Sequence, residues 1–175
     1  MNRCKAFLTA LNDRGCGAAL IHRPENIRWL TGYTGEGCVF VSENAQVVVT
    51  DFRYVEQAGR QAHECDCRRT GNGVSESAVA RELCQAQGVK RLCVETDYLT
   101  HDEYLTLEKA LEGVELIPLS ELPQELRLIK DAGEIESIQK AAAISCRAFD
   151  NLLGKIHPGM TEKQVQIMLD YEMLS

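Results

Sequence analysis

The side chains able to do chemistry are plentiful in this chain, but their spacing does not suit it. The four imidazoles are His22, His63, His101 and His157. A zinc-dependent hydrolase would carry two of them one helical turn apart, as in His-Glu-x-x-His, and none is placed so. His101-Asp102-Glu103 falls where a helix should begin, so its acidic pair reads as capping of open N–H groups. Among the eight cysteines, Cys65-Asp66-Cys67 is the one close pair. Residues two apart share a face of a strand, so these sulfurs could help hold a soft metal. No second Cys or His pair at zinc-site spacing accompanies them, and plain strand packing is the reading. There is no Gly-x-Ser-x-Gly elbow, no phosphate loop and no dinucleotide fingerprint. The one glycine-dense run, Thr31-Gly32-Tyr33-Thr34-Gly35-Glu36-Gly37, does not match a phosphate cradle and reads as a flexible turn. Carboxylates are abundant, yet spacing makes no two of them a catalytic pair. Residue types alone give no catalytic constellation.

Apolar periodicity shows which elements must position these groups. Residues 3–14 form a first helix with Phe7, Leu8 and Leu11 on one face and Gly15 as its stop. Ala18 to Ile21 is a short strand. Pro24-Glu25-Asn26 opens a helical turn that Gly32 ends. Cys38 to Ser42 and Gln46 to Thr50 are strands around Glu43-Asn44-Ala45, a hairpin. The order then runs helix (Tyr54 to Ala62), strand (Cys65 to Thr70), helix (Ser75 to Gln87) and strand (Arg91 to Glu95). A helix from Thr100 to Leu111 and a strand from Val114 to Leu119 close the series. Strands alternating with helices of this length, plus one hairpin, imply an α/β fold: a mixed sheet with helices on both faces. The expected boundary is near 122, where Pro123 interrupts the pattern, giving domains of 1–122 and 123–175.

The second segment differs in kind. Asp131 with Glu134 makes a capping box, and Ile135, Ile138, Ala142, Phe149 and Leu153 recur at helical spacing behind it. Pro158-Gly159 stops that helix. Thr161 with Gln164 is a second capping box, followed by Val165, Met168, Leu169 and Met173 on one face. Both helices need a surface to pack on.

Composition narrows the function classes. A net charge of −7, with basic residues scattered among acidic neighbours, argues against a nucleic-acid surface. No apolar run approaches the roughly 20 residues that span a bilayer, so no membrane role is expected. Met1-Asn2-Arg3-Cys4-Lys5 lacks the apolar core of a secretory signal, which points to the cytoplasm. In that compartment the eight cysteines are expected to be free thiols at core positions.

Four ordered segments then resemble one family. Asn26-Ile27-Arg28-Trp29-Leu30-Thr31-Gly32-Tyr33-Thr34-Gly35 is similar to a segment of Xaa-Pro aminopeptidases and prolidases, relatives of creatinase. Thr50-Asp51-Phe52-Arg53-Tyr54 with Glu56-Gln57-Ala58 resembles a second, with Phe52 in place of the usual Gly. Leu126-Arg127-x-Ile129-Lys130 with Glu134-Ile135 looks like the approach to that family's catalytic domain. Ile156-x-Pro158-Gly159-x-Thr161-Glu162 is the next landmark in the same order.

The resemblance implies an N-terminal domain of ribonuclease H-like topology, then a pita-bread catalytic domain. In the latter, two Asp, one His and two Glu hold two divalent metals, Mn, Co or Zn, that activate a bridging water. All five ligands would lie beyond the second capping-box helix. No residue of this chain is therefore expected to be catalytic, cofactor-binding or metal-ligating, and the two helices after residue 131 are expected to belong to an incomplete pita-bread domain. One functional element remains, because in creatinase-like dimers the loop after the Thr-Gly segment can reach the partner's active site. The matching loop runs from Tyr33 to Cys38, with Tyr33, Thr34 and Glu36 as candidate substrate-access residues. Its carboxylate would favour a substrate's amino end. Asp51 and Arg53 read as a local ion pair fixing a helix start.

Two functions are therefore expected as alternatives. The first is the N-terminal portion of a cytosolic Xaa-Pro dipeptidase or aminopeptidase acting on proline-containing peptides. In that case this piece serves homodimer contacts and substrate access and is not itself catalytic. The second is a complete non-catalytic binding or assembly module. Helices left without a partner surface favour the first.

Overall fold

A computed structural model of the protein describes residues 3–175. The chain divides into two compact units, one ending at Leu128 and one running from Ile129 to Ser175.

The first unit is built on a six-stranded sheet. Its strands are β1 (Ala18–Ile21), β2 (Cys38–Ser42), β3 (Gln46–Thr50), β4 (Asp66–Arg69), β5 (Arg91–Val94) and β6 (Glu115–Pro118), in the order β4-β3-β2-β1-β5-β6. β2 pairs antiparallel with both β1 and β3, while the β3/β4, β1/β5 and β5/β6 pairs are parallel. The sheet is mixed, and the hairpin stands where Glu43-Asn44-Ala45 placed it.

Alternation along each strand divides the core in two, because successive side chains leave a sheet on opposite faces. Ala19, Ile21, Val39, Val41, Val48 and Cys93 face one way. They meet Phe7 and Leu11 of α1 (Arg3–Asp13), Ile27 and Leu30 of α2 (Pro24–Thr31), and Ala58 of α3 (Val55–Gln61). Ala18, Leu20, Phe40, Val47, Val49 and Leu92 face the other way, onto Val79, Ala80 and Leu83 of α4 (Glu76–Ala86) and Leu107 of α5 (His101–Ala110). Every residue of β1 and β2 is buried, as expected for strands covered on both sides. The outer strand β4 is exposed throughout, and charged Asp66, Arg68 and Arg69 keep that edge in water.

One helix was not expected. α6 (Leu122–Leu128) forms with Pro123 at its second position, where a missing N–H costs nothing. Leu122 and Pro123 are buried, and Leu126 packs on the α1/α2 side of the core. A segment expected in the linker is thus packed with the first unit.

The second unit pairs α7 (Ala132–Leu153) with α8 (Glu162–Leu174). Both capping boxes form: Asp131 accepts from Glu134 N, Thr161 accepts from Gln164 N, and each third-position side chain bonds back. Ala148 and Leu152 are buried, and Val165, Met168 and Leu169 are half-buried. The expectation that all of these faces lack a partner therefore needs correcting for Val165, Met168 and Leu169. Ile135, Ile138, Phe149 and Leu153 do remain exposed.

The thiols also depart in part from expectation. All eight are unbridged, but Cys67 and Cys146 are exposed and Cys65 is half-buried. The Cys65 side chain packs on the core, whereas Cys67 sits on the solvated edge strand.

Candidate functional site

Antiparallel pairing of β2 with its neighbours gathers several termini at one edge of the sheet. The register Ile21↔Val39 places the end of β1 beside the start of β2, and Cys38↔Val49 brings the end of β3 to the same edge. β5 runs parallel to β1, and Glu95 follows its end there. Edges of this kind, beyond the carboxyl ends of parallel strands, are where open α/β sheets present ligand-binding groups. His22, Glu95, the loop from Tyr33 to Gly37, and Asp51 with Arg53 all stand along it.

The loop is braced, which corrects its reading as a flexible turn. Tyr33 is fully buried, and its ring is the pillar under the loop. Its hydroxyl lies 2.8 Å from the Glu36 carbonyl and 3.0 Å from Thr50 Oγ1, and Thr50 donates to that same carbonyl at 2.6 Å. Burial pushes the Tyr33 phenol up from its ordinary pKa. The backbone passes so close that a Cβ on Gly35 would sit 2.4 Å from the Tyr33 hydroxyl oxygen. Gly37 has φ +124°, and a Cβ there would fall 2.1 Å from the Val49 carbonyl oxygen. The alternate glycines answer a packing demand, which spacing could not reveal.

Gly37→Ala and Gly59→Ala should therefore act in opposite directions. The first forces a methyl into β3 backbone at a strained φ and should cost more than about 2 kcal/mol. Gly59 lies inside α3 with open space around it, and Ala there should gain about 0.5–1 kcal/mol of helix propensity. Urea unfolding of both variants reads the two signs.

Of the candidate access residues, Tyr33 offers no side-chain surface, while Thr34 and Glu36 reach solvent or its margin. Thr34 is held by Gln61, which accepts from its backbone N–H at 2.9 Å, and by Gln57, which donates to its hydroxyl at 3.1 Å. Glu36 is not an isolated charge. Arg53 Nη2 donates to Glu36 at 2.9 Å and to Asp51 at 2.6 Å. Arg53 holds the Asp51 carboxyl below its ordinary pKa, and Asp51 in turn keeps the guanidinium charged. Asp51 also accepts from Arg53 N at 2.8 Å, and the expected Asp51–Arg53 ion pair stands just before α3. Phe52, exposed between them, makes the turn without entering the left-handed region. Two carboxylates on one guanidinium leave the patch with a net charge of −1.

The residue at this edge that sequence reasoning missed is Glu95, only 1% exposed. Its carboxylate accepts from the backbone N–H groups of His22 at 2.6 Å and Arg23 at 2.7 Å, and from Asn26 Nδ2 at 2.5 Å. Arg23 occupies the N-cap of α2 but gives no side-chain cap. Glu95 supplies that function from another element and places negative charge at the helix's positive end. Asn26, fully buried, turns its other amide atom to accept from Arg127 Nη1 of α6 at 2.9 Å.

A third group lies on the α4 side. His22 Nε2 and Glu76 Oε1 are 2.7 Å apart, and one ligating atom each of His22, Cys38 and Glu76 lies within 4.8 Å of the others. Among the described residues this is the set of His, Cys, Asp and Glu side chains close enough to share an ion. It lacks the two Asp and second Glu that a creatinase-like metal pair requires. These residues do not fit that pair, and they cannot carry a two-metal hydrolytic step.

The family model described as Creatinase/Prolidase N-terminal domain matches residues 3–129. The chain belongs to that family. It is 32% identical over 162 residues to an uncharacterized peptidase, YqhT, of Bacillus subtilis (strain 168), covering 92% of this chain and 45% of that protein. It superposes on an Xaa-Pro dipeptidase from Bacillus anthracis with a TM-score of 0.91 and 31% identity, covering 98% of this chain and 48% of that one. The N-terminal domain of the cytoplasmic peptidase PepQ from Mycobacterium tuberculosis H37Rv aligns at a TM-score of 0.64 and 31% identity, covering 73% of this chain and all of that one. The chain spans about half the length of the curated relatives it matches, 41 to 50%.

In this creatinase/prolidase N-terminal domain, three of the four segments that carried the resemblance interlock. The first and second meet through Tyr33–Thr50 and Thr34–Gln57, with Glu36–Arg53 just past the end of the first. The first and third meet through Asn26–Arg127. Segments about a hundred positions apart thus form one hydrogen-bonded assembly around α2. The fourth segment lies in the α7/α8 unit.

Proposed function

We propose that this chain is the N-terminal portion of a cytoplasmic, homodimeric Xaa-Pro dipeptidase or aminopeptidase, and that it admits and orients substrate without cleaving it. In this reading residues 1–122, extended by α6, form the access domain, and α7 and α8 begin the catalytic one. The observation that carries it is the braced loop from Tyr33 to Gly37. A loop that must present Thr34 and Glu36 to a neighbouring active site needs a fixed backbone, and Tyr33, Thr50 and Arg53 supply one. The net negative patch of Glu36, Asp51 and Arg53 suits the amino end of a short peptide. Scissile-bond chemistry, with its two divalent metals, falls to residues of the catalytic domain. Among the described residues no helix is long and apolar enough to cross a membrane.

Incubated with Xaa-Pro dipeptides and Mn²⁺, Co²⁺ or Zn²⁺, the chain alone should give background hydrolysis only. Robust metal-dependent turnover by the pure chain would overturn the division of labour. Within a full-length enzyme, Glu36→Gln should raise KM about two- to fivefold with kcat unchanged, the worth of one exposed charge contact. An unchanged KM removes the access role.

A further inference from the structure

We propose that His22, Cys38 and Glu76 form a mononuclear site for a thiophilic divalent ion of the Zn²⁺ class. The three come from different elements, which sequence spacing hides. His22 follows β1, Cys38 opens β2 beside it, and Glu76 is the first residue of α4. One ligating atom from each lies within 4.8 Å of the others, so modest side-chain rotation brings all three to coordination distance.

The hydrogen bonding resembles a metal site holding protons in place of the ion. Glu76 lies 2.7 Å from His22 Nε2, and the Cys38 sulfur lies within 4.8 Å of both. With Nε2–H donating to Glu76, His22 Nδ1 is a buried lone pair without a hydrogen-bond donor. The Cys38 thiol is fully buried, and burial with Glu76 beside it favours its protonated form. A divalent ion changes that balance, because it replaces the thiol proton, which leaves to solvent, and forms a metal–sulfur bond. The thiolate, the Glu76 carboxylate and a neutral imidazole then leave the site with no net charge.

Access and a fourth ligand are provided for. A cavity of about 370 Å³ opens beside the site, lined by His22, Glu76, Ser75, Asp102, Glu103 and Thr106. It admits water to an open coordination position, and Asp102 and Glu103 favour cations in it. One thiolate, one imidazole and one carboxylate select Zn²⁺ or Co²⁺ over Mg²⁺ or Ca²⁺, which prefer all-oxygen shells.

The test uses the full chain. After incubation with Zn²⁺ and removal of free metal, about one equivalent should be retained, with none for Mg²⁺ or Ca²⁺. Co²⁺ in place of Zn²⁺ should give a sulfur-to-cobalt charge-transfer band in the near ultraviolet. Cys38→Ser should abolish that band, and Glu76→Gln, a half-exposed position that should fold normally, should weaken Co²⁺ binding about tenfold or more. Cys65→Ser with Cys67→Ser should leave both signals intact. Failure to retain Zn²⁺ overturns the proposal. So does a charge-transfer band that survives Cys38→Ser, or one that disappears with Cys65 and Cys67.

Discussion

Sedimentation of the full chain should show concentration-dependent self-association, and a version ending at Leu128 should remain a monomer. The driving surface is on α7 and the turn after it. Ile135 is 46% exposed, Ile138 54%, Phe149 55%, Leu153 55% and Ile156 47%. At about 25 cal/mol per Å² of apolar surface, burying these together contributes several kcal/mol toward the cost of association. A run of large apolar side chains of that kind is unusual on a soluble monomer. α8 pairs with α7, and Val165, Met168 and Leu169 are half-buried, so the association should be weaker than two bare helices would give. Replacing Ile138 and Phe149 by Glu should return the chain to a monomer while amide exchange still protects α7. The cut belongs after Leu128, not at 122, because α6 is packed on the first unit. A monomeric full chain with α7 strongly protected would show that the exposed face needs no partner.

Glu95→Gln should destabilise the first unit by about 2–4 kcal/mol without a change in volume. Substitutions that break one partner of a buried charged network commonly cost this much. Geometry makes the amide a poor replacement. Two backbone N–H groups and Asn26 Nδ2 all donate to the Glu95 carboxylate, so any orientation of a Gln amide sets its NH₂ against a donor. Asn26 cannot turn over to compensate, because its oxygen is already engaged by Arg127. Both α2 and α6 should loosen together. Urea unfolding should show a lower midpoint, and amide exchange should rise in α2 and α6 ahead of α4 and α5. An unchanged midpoint would mean the carboxylate's charge is not needed at this helix end.

Much of the fold was legible because its signals are local. Cys38-Val39-Phe40-Val41 followed by Glu43-Asn44-Ala45 specifies a strand and a turn whatever surrounds it. Pro24 at a helix start, Asp131 with Glu134 and Thr161 with Gln164 fix helix starts through neighbours three residues away at most. Those elements stand where they were expected, and the family segments stand in their expected order. α6 was missed because Pro123 reads as an interruption until one sees that it occupies a helix's first turn, where it is tolerated. The partial covering of α8 was missed because an apolar stripe shows that a face wants burial, not what will bury it.

The candidate site was legible only where sequence neighbours make it. Asp51 and Arg53, two residues apart, gave their ion pair directly. Tyr33 and the glycines after it gave a loop, but its bracing depends on Thr50 and Arg53, brought alongside by the β2–β3 hairpin. Glu95 capping α2, Arg127 reaching Asn26, and His22 meeting Cys38 and Glu76 all depend on strand order. The sequence by itself determined the elements other than α6, the capping boxes and the family, because hydrophobic period and local capping act within a few residues. Tertiary structure alone decided which strand ends share an edge, and therefore which carboxylate, imidazole and thiol meet. The physical reason is that sheet pairing is set by the joint burial of both faces, a property no single segment contains.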